Sequence, residues 1–294
     1  MQHDNNIIDL VSVQELLTEV KDHDLKKFSS LLSVNSDPKT IKGLKKGYLT
    51  GIQYLAPSTL SGKYNVCKNS GDCAKACLNF GGRGAFDTNI PKARINRTKL
   101  FFEHRSCYFA LLIREILALE KRAKNLFLIP CIRLNGMSDL TWERIRFKGH
   151  TIFELFPHIQ FYDYSKYGFN SRINLPKNYH LTYSYSEKTT EEELHTNLTN
   201  KRNVAVVFNL CVNDNRKSCR NKCKCPMIKT YKGFQVIDGD QSDLRFLDPD
   251  SGVIVGLRAK GEARNDILSD GSLNKFTIKI HRTLTDLDIK QLAA

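Results

Sequence analysis

No run of about eighteen uncharged apolar residues occurs in the 294-residue chain, so no helical membrane span is expected. The start, Met1-Gln2-His3-Asp4-Asn5-Asn6, lacks the basic residues and the apolar stretch of a secretory signal. These two absences lead to the expectation of a cytoplasmic protein. Internal repeats and low-complexity tracts are also missing, which sets aside solenoids and polymers. A Walker loop, a dinucleotide glycine fingerprint, a nucleophile elbow and a zinc-protease motif are absent too. The commonest nucleotide, hydrolase and metalloprotease chemistries therefore lose their usual signatures. Acidic residues are in short supply: 31 Asp+Glu face 45 Lys+Arg, a formal net charge of +14. What is present is globular, 41% hydrophobic and 26% charged, and long enough for one large α/β domain or two smaller ones.

Nine cysteines are an odd number that does not suit a disulfide framework in a reducing compartment. Cys67, Cys73 and Cys77 lie within eleven residues, and Cys211, Cys219, Cys223 and Cys225 within fifteen. Cys107 and Cys131 stand alone in apolar segments and read as small buried hydrophobes. Clustered thiolates instead suit soft metals and iron-sulfur centres. The charge follows them. Residues 68–124 carry twelve basic and five acidic side chains, and residues 211–232 carry seven and one, so nearly all the excess lies beside the two cysteine groups. Local positive charge lowers thiol pKa and draws anions, so an anionic substrate, a nucleotide or nucleic acid, is expected. A solvated charged face is the plainer alternative.

Residues 1–45 read as a helical N-terminal extension. Ser12-x-x-Glu15 is a capping box ahead of Leu16, Leu17 and Val20, and Asp37-Pro38 begins a linker. Residues 46–294 read as one α/β domain with a Cys-rich basic insertion at about 209–232. Apolar runs at 48–55, 127–134, 159–164, 180–185, 204–208 and 253–257, with a shorter one at 234–237, predict strands. Leu100, Phe101, Phe109, Leu112, Ile113, Ile116 and Leu119 predict one long helix over 91–124. Residues 151–155 are a weaker helix, and Thr190-x-x-Glu193 opens another. Strands alternating with helices of crossover length predict a parallel sheet. The fold class expected is α/β, a partial (β/α) barrel of about six parallel strands.

Polar residues gather just after these strands, where α/β folds place their sites. They are the three-cysteine loop, Asn135-Gly136-Met137-Ser138-Asp139, Asp163-Tyr164-Ser165-Lys166 and Ser184-Tyr185-Ser186-Glu187, then Asp238-Gly239-Asp240 and Arg258-Ala259-Lys260-Gly261. Cys67, Cys73 and Cys77 can hold three irons of a four-iron iron-sulfur cluster and leave the fourth iron open. Zinc is the rival, with His104 or water as its fourth ligand, and a metal-free loop is the third possibility. Gly81, Gly82 and Gly84 would let backbone amides approach an anion. Cys211, Cys219, Cys223 and Cys225 fit a closed site, structural zinc or an auxiliary iron-sulfur cluster. With Arg216, Lys217, Arg220, Lys222 and Lys224 interleaved, that segment equally suits a phosphate-backbone clamp or an exposed reduced loop. Asp238, Asp240 and Asp243 are spaced as divalent-cation ligands or as an acidic turn. His180 reads as a hydrogen-bonded strand residue and His104 as packing. Tyr162 and Tyr164, on either side of Asp163, suit stacking on a nucleobase or packing against helices.

Ordered blocks from about residue 45 to 265 carry a resemblance. They include Gly47-Tyr-Leu-Thr-Gly-Ile-x-Tyr-Leu-Ala-Pro57, Cys67…Cys73-x3-Cys77-Leu-Asn, Gly82-Arg-Gly-Ala-Phe86 and Ala93-Arg94-Ile-Asn96-x-Thr98-Lys99. Others are Ile132-Arg-Leu-Asn-Gly136-x-Ser-Asp139, Gln160-Phe-Tyr-Asp-Tyr164, Asn178-Tyr-His-Leu-Thr182, Val236-Ile-Asp-Gly-Asp240, Asp243-Leu-Arg-Phe-Leu-Asp-Pro249 and Val253-Ile-Val-Gly-Leu257. Through them the chain resembles a phage and plasmid family known as gene product 88, which has no assigned activity. The resemblance implies a phage or mobile-element origin. In the order of its parts the chain is more loosely similar to radical S-adenosylmethionine enzymes. That likeness implies a cluster on Cys67, Cys73 and Cys77 whose open iron chelates S-adenosylmethionine for reductive cleavage to an adenosyl radical. It places Asn135, Gly136, Ser138 and Asp139 near the cofactor, and Ser184, Ser186 or Glu187 at its ribose. The spacing departs from that superfamily: Cys-x5-Cys-x3-Cys stands in place of Cys-x3-Cys-x2-Cys. A reading from another class is a DNA-binding or replication accessory protein with structural zinc, whose nucleic-acid affinity falls steeply with salt.

Overall fold

Runs of Val, Ile and aromatic residues separated by helices fold, in the computed structural model, into two units whose strands are mostly parallel. The structure describes residues 30–36, 38–77, 87–168, 171–210, 225–268 and 270–280. The first unit takes its described residues from 30–70, 87–184 and 241–249, and the second from 71–77, 185–240 and 250–280.

The first unit runs β1 (Leu32–Val34), α1 (Pro38–Leu44), β2 (Tyr48–Gln53), α2 (Asn89–Glu103), α3 (Arg105–Asn125), β3 (Ile129–Arg133), β4 (Arg146–Phe147), β5 (His150–Thr151), α4 (Ile152–Leu155), β6 (Gln160–Ser165) and β7 (Tyr179–Ser184). Its sheet has the order β1-β2-β3-β6-β7, and β4 pairs with β5 in a separate hairpin. Strands β2, β3, β6 and β7 are parallel, with Tyr48 opposite Ile129, Cys131 opposite Gln160 and Phe161 opposite Tyr179. Leu49, Ile52, Ile132 and Phe161 are buried, as strands covered on both faces require. Helix α3 contributes Phe109, Leu112, Ile113, Ile116 and Leu119 to the core, each worth about 1.5–3 kcal/mol when fully buried. Gly51 makes room for that helix: a Cβ there would lie 3.1 Å from Leu119 Cδ2. Trp142 sits among Phe101, Tyr108 and Phe109.

The second unit runs α5 (Glu191–Thr199), β8 (Val204–Asn209), β9 (Thr230–Tyr231), β10 (Phe234–Asp238), β11 (Ile254–Arg258) and β12 (Ile278–Lys279). Strands β10, β11 and β8 are parallel neighbours, β12 joins β8 in parallel, and β9 closes a short antiparallel hairpin with β10. Ala76, Ala259, Ala263 and Leu268 form a small apolar cluster in this unit.

The α/β class with a mostly parallel arrangement is as the sequence predicts. Neither sheet closes on itself into a barrel, and the strand orders end on the antiparallel edge strands β1 and β9. The single helix expected over 91–124 is two helices. His104, at φ −133° and ψ 60°, ends α2 and begins α3. The strand expected from 127 starts at Ile129, because Leu126 and Phe127 close α3. Residues 32–34, inside the expected helical extension, pair with β2 instead, and residues 38–44 form α1 rather than a linker. The Ser12 capping box and residues 211–224 lie outside the described residues. Among the described residues no helix is long and apolar enough to cross a membrane.

Candidate functional site

In the first unit, the loop after β3 is organised by Asn135. Its backbone N–H donates to Asp163 Oδ1 at 2.7 Å, and its Nδ2 donates to Asp163 Oδ2 at 3.3 Å and to Leu140 O at 3.0 Å. Its Oδ1 accepts from Ser138 Oγ at 2.7 Å, Leu140 N at 3.0 Å and Trp142 Nε1 at 3.2 Å. The amide is thus committed at both ends to holding the loop. Gly136 donates its N–H to Gln53 O, and a Cβ on it would stand 2.4 Å from that oxygen and 2.7 Å from the Tyr54 ring. Only glycine permits this approach. Asp139 continues the frame: its N–H donates to Val66 O, while its carboxylate accepts from Lys166 N at 2.8 Å and Arg172 Nη1 at 3.3 Å. Cys67 donates its thiol hydrogen to Met137 O at 3.2 Å, so the loops after β2 and β3 are tied together at the C-terminal edge of the parallel strands.

Beneath this edge lies a buried charge network. Arg133 pairs with Asp243 through Nη1 at 3.1 Å, stacks on Tyr164, and has its Nε 3.9 Å from Asp163. Burial pushes the Asp163 carboxyl up to about 7, against the opposing pull of Arg133, the Asn135 N–H, Arg172 and the Tyr179 hydroxyl. Burial acts on Asp243 too, but Arg133, Lys39 and Arg245 outweigh it and hold that carboxyl below the usual range. For Asp139 burial prevails, and its carboxyl is raised despite Lys166 N–H and Arg172. Arg172 is gripped by both Glu143 oxygens, at 2.6 and 2.9 Å, and by the Tyr179 hydroxyl at 3.1 Å. Two carboxyls that both feel Arg172, Asp139 and Asp163, are therefore shifted upward by the same cause, burial.

The predicted residues divide between the units. Cys67, Asn135, Gly136, Ser138, Asp139 and Ser184 lie in the first, where Lys166 Nζ donates to Ser184 Oγ at 2.8 Å. Cys73, Cys77, Ser186, Glu187 and Cys225 lie in the second. There Cys73 rides a 3-10 turn, Gly71–Ala74, whose Asp72 N–H donates to Glu187 Oε1 at 3.1 Å. Gly71, at φ 51°, lies so close to that carboxylate that a Cβ would fall 1.8 Å from it. Ser186 is buried in a local turn with Thr189 and Lys188. Cys225 O accepts from Arg258 Nε at 3.0 Å, while Cys211, Cys219 and Cys223 lie outside the described residues. Among the described residues no three His, Cys, Asp or Glu side chains stand together as a ready-made metal set.

Several expectations are corrected by these positions. Asp238 and Asp240 are engaged by Arg258, at 2.7 to 3.2 Å, and Asp240 also by Lys260 at 2.6 Å, so they form an ion-pair knot. Asp243 belongs with Arg133 instead. Tyr162 is fully buried, edge-on to Phe246 with its hydroxyl toward Asp243, and has no face left for a nucleobase. His104 is exposed at the helix break, not packed. Cys131 is buried and its thiol is pushed up to about 12 by that burial, in keeping with a small hydrophobe.

Arg133, Glu143 and Arg172 were not among the predicted site residues, and Asp243 was read only as a cation ligand or part of an acidic turn. One signal for Arg133 was available: a charge inside the apolar run 129–134 demands a buried partner. A family model described as gene product 88 matches residues 29–271. No curated protein and no solved structure matches the chain.

Proposed function

Because the chain belongs to the gene product 88 family, whose blocks include the strand-end loops just described, we propose that it is an iron-sulfur protein acting at the C-terminal edge of its parallel strands on an anionic substrate, a nucleotide or nucleic-acid segment. The observation that carries this reading is the placement of the Cys67 thiol, 3.2 Å from Met137 O, on the loop built by Asn135, Gly136, Ser138 and Asp139. Cys67, Cys73 and Cys77 supply the thiolates. All three residues are partly buried. A cluster held by three cysteines keeps one iron open for substrate or cofactor chemistry. The partial-barrel layout belongs to the same reading, as does a cytoplasmic location, where thiols stay reduced.

S-adenosylmethionine fits this edge poorly as it stands. The side chains of Asn135 and Ser138 are spent on one another and on the loop, and Ser184 is engaged by Lys166. Asp139 is likewise engaged, by Lys166 N and Arg172, and Gly136 N–H by Gln53 O.

Anaerobic reconstitution with iron and sulfide tests the cluster. The expected result is a broad absorption at roughly 400 nm, lost in Cys73→Ala and kept in Cys107→Ala. No absorption in the wild type, or an unchanged one in Cys73→Ala, overturns the reading. Stoichiometric zinc with salt-sensitive DNA binding would favour a replication accessory protein with structural zinc instead.

A further inference from the structure

The turn that closes α3 bears a cost that no packing among the described residues returns. Phe127 N donates to Lys124 O and Leu128 N to Ala123 O, the Schellman arrangement of a helix C-terminus. Its left-handed position is one that glycine normally takes, yet Phe127 occupies it at φ 54°. The ring recovers nothing by packing, for Phe127 is 97% exposed. Beside it stand Leu126 at 48% and Ile129 at 55% exposure. Ile129 N donates to Gly47 O at 2.9 Å, which sets the turn of residues 45–47 against the same tip. Lys45, Lys46, Lys121, Arg122 and Lys124 are exposed around it, and residues 41–48 and 121–130 contain no acidic side chain. An apolar tip ringed by cations is complementary to a surface that is anionic at its face and apolar beneath.

We propose that this tip is a peripheral docking surface for an anionic lipid bilayer. Phe127, Leu126 and Ile129 enter the acyl boundary, and the five cations meet headgroup phosphates. Leu126 and Ile129 favour a bilayer over a nucleic acid, because a base offers stacking to Phe127 alone. The proposal is independent of the metal site.

Co-sedimentation of the full chain with vesicles tests it. Vesicles of phosphatidylcholine and phosphatidylglycerol in equal parts should bind the wild type, less so as salt rises, and vesicles of phosphatidylcholine alone should not. Phe127→Gly should abolish binding while its melting temperature stays level or rises, since glycine relieves the left-handed backbone. That second readout separates loss of the surface from loss of the fold. Each lysine neutralised should weaken partitioning about fivefold, so Lys45→Gln with Lys46→Gln should weaken it about 25-fold. Equal binding by Phe127→Gly, or absence of binding to the mixed vesicles, overturns the proposal. So does a tip that instead mediates self-association or binding of single-stranded DNA.

Discussion

Asp163 is surrounded by donors yet stripped of water, and burial prevails: its carboxyl titrates at about 7 against an ordinary 3.8. Between those values the folded chain keeps a proton that the unfolded chain has released. Stability therefore falls as pH rises from about 4 to about 7, then levels off. Asp163→Asn keeps an acceptor for the Asn135 N–H and removes the titration. Its melting temperature, followed across that window, should lose the decline shown by the wild type. An unchanged slope would show that another group carries it. Asp163→Ala is a different experiment, because it leaves the Asn135 N–H and the Tyr179 hydroxyl with no acceptor at that point. It should cost about 1–3 kcal/mol for each group so stranded, read by urea denaturation. None of this network was legible in the sequence beyond the oddity of Arg133. Its partner Asp243 lies 110 positions away, and pattern reading sees neighbours, not contacts.

Elements were more legible where their cause is local. Thr151 with Glu154 and Thr190 with Glu193 are complete capping boxes, and α4 and α5 begin where those residues say. The parallel strands were legible because both their faces are covered, which makes them continuous apolar runs. The break between α2 and α3 was hidden, because the apolar spacing continues from Phe101 to Phe109 across it. Only the exposed residues Glu103, His104, Arg105 and Ser106 mark the join. The tie between the loops after β2 and β3 was hidden for the same reason as the Arg133 pair, since Cys67 and Met137 are 70 positions apart. Gly136 is the element-scale test of that tie. In Gly136→Ala the new methyl must displace backbone, the Gln53 carbonyl oxygen, so the loop itself has to move. A loss of about 2 kcal/mol or more in urea denaturation is expected, well beyond an ordinary surface change. A loss under about 0.5 kcal/mol would mean that the loop yields freely and does not fix Cys67.

At the scale of the whole molecule, the shortage of acid is local rather than general. The positive excess accompanies the two cysteine groups along the chain, and the family match spans both of them and the strand-end loops. The candidate site was legible in its location, the ends of parallel strands, and less so in its roles. Asn135 and Ser138, read from the sequence as cofactor contacts, serve the loop's own framework. The thiols of Cys67, Cys73 and Cys77 are clustered in sequence, partly buried and flanked by positive charge. The most direct test of the cluster proposed on them is a count of iron, acid-labile sulfide and zinc in protein purified anaerobically, for the wild type and for the triple variant Cys67→Ala, Cys73→Ala, Cys77→Ala. A four-iron cluster on these cysteines predicts about four irons and four sulfides per wild-type chain, both lost in the triple variant. Zinc in place of iron, or iron and sulfide undiminished in the triple variant, would contradict it.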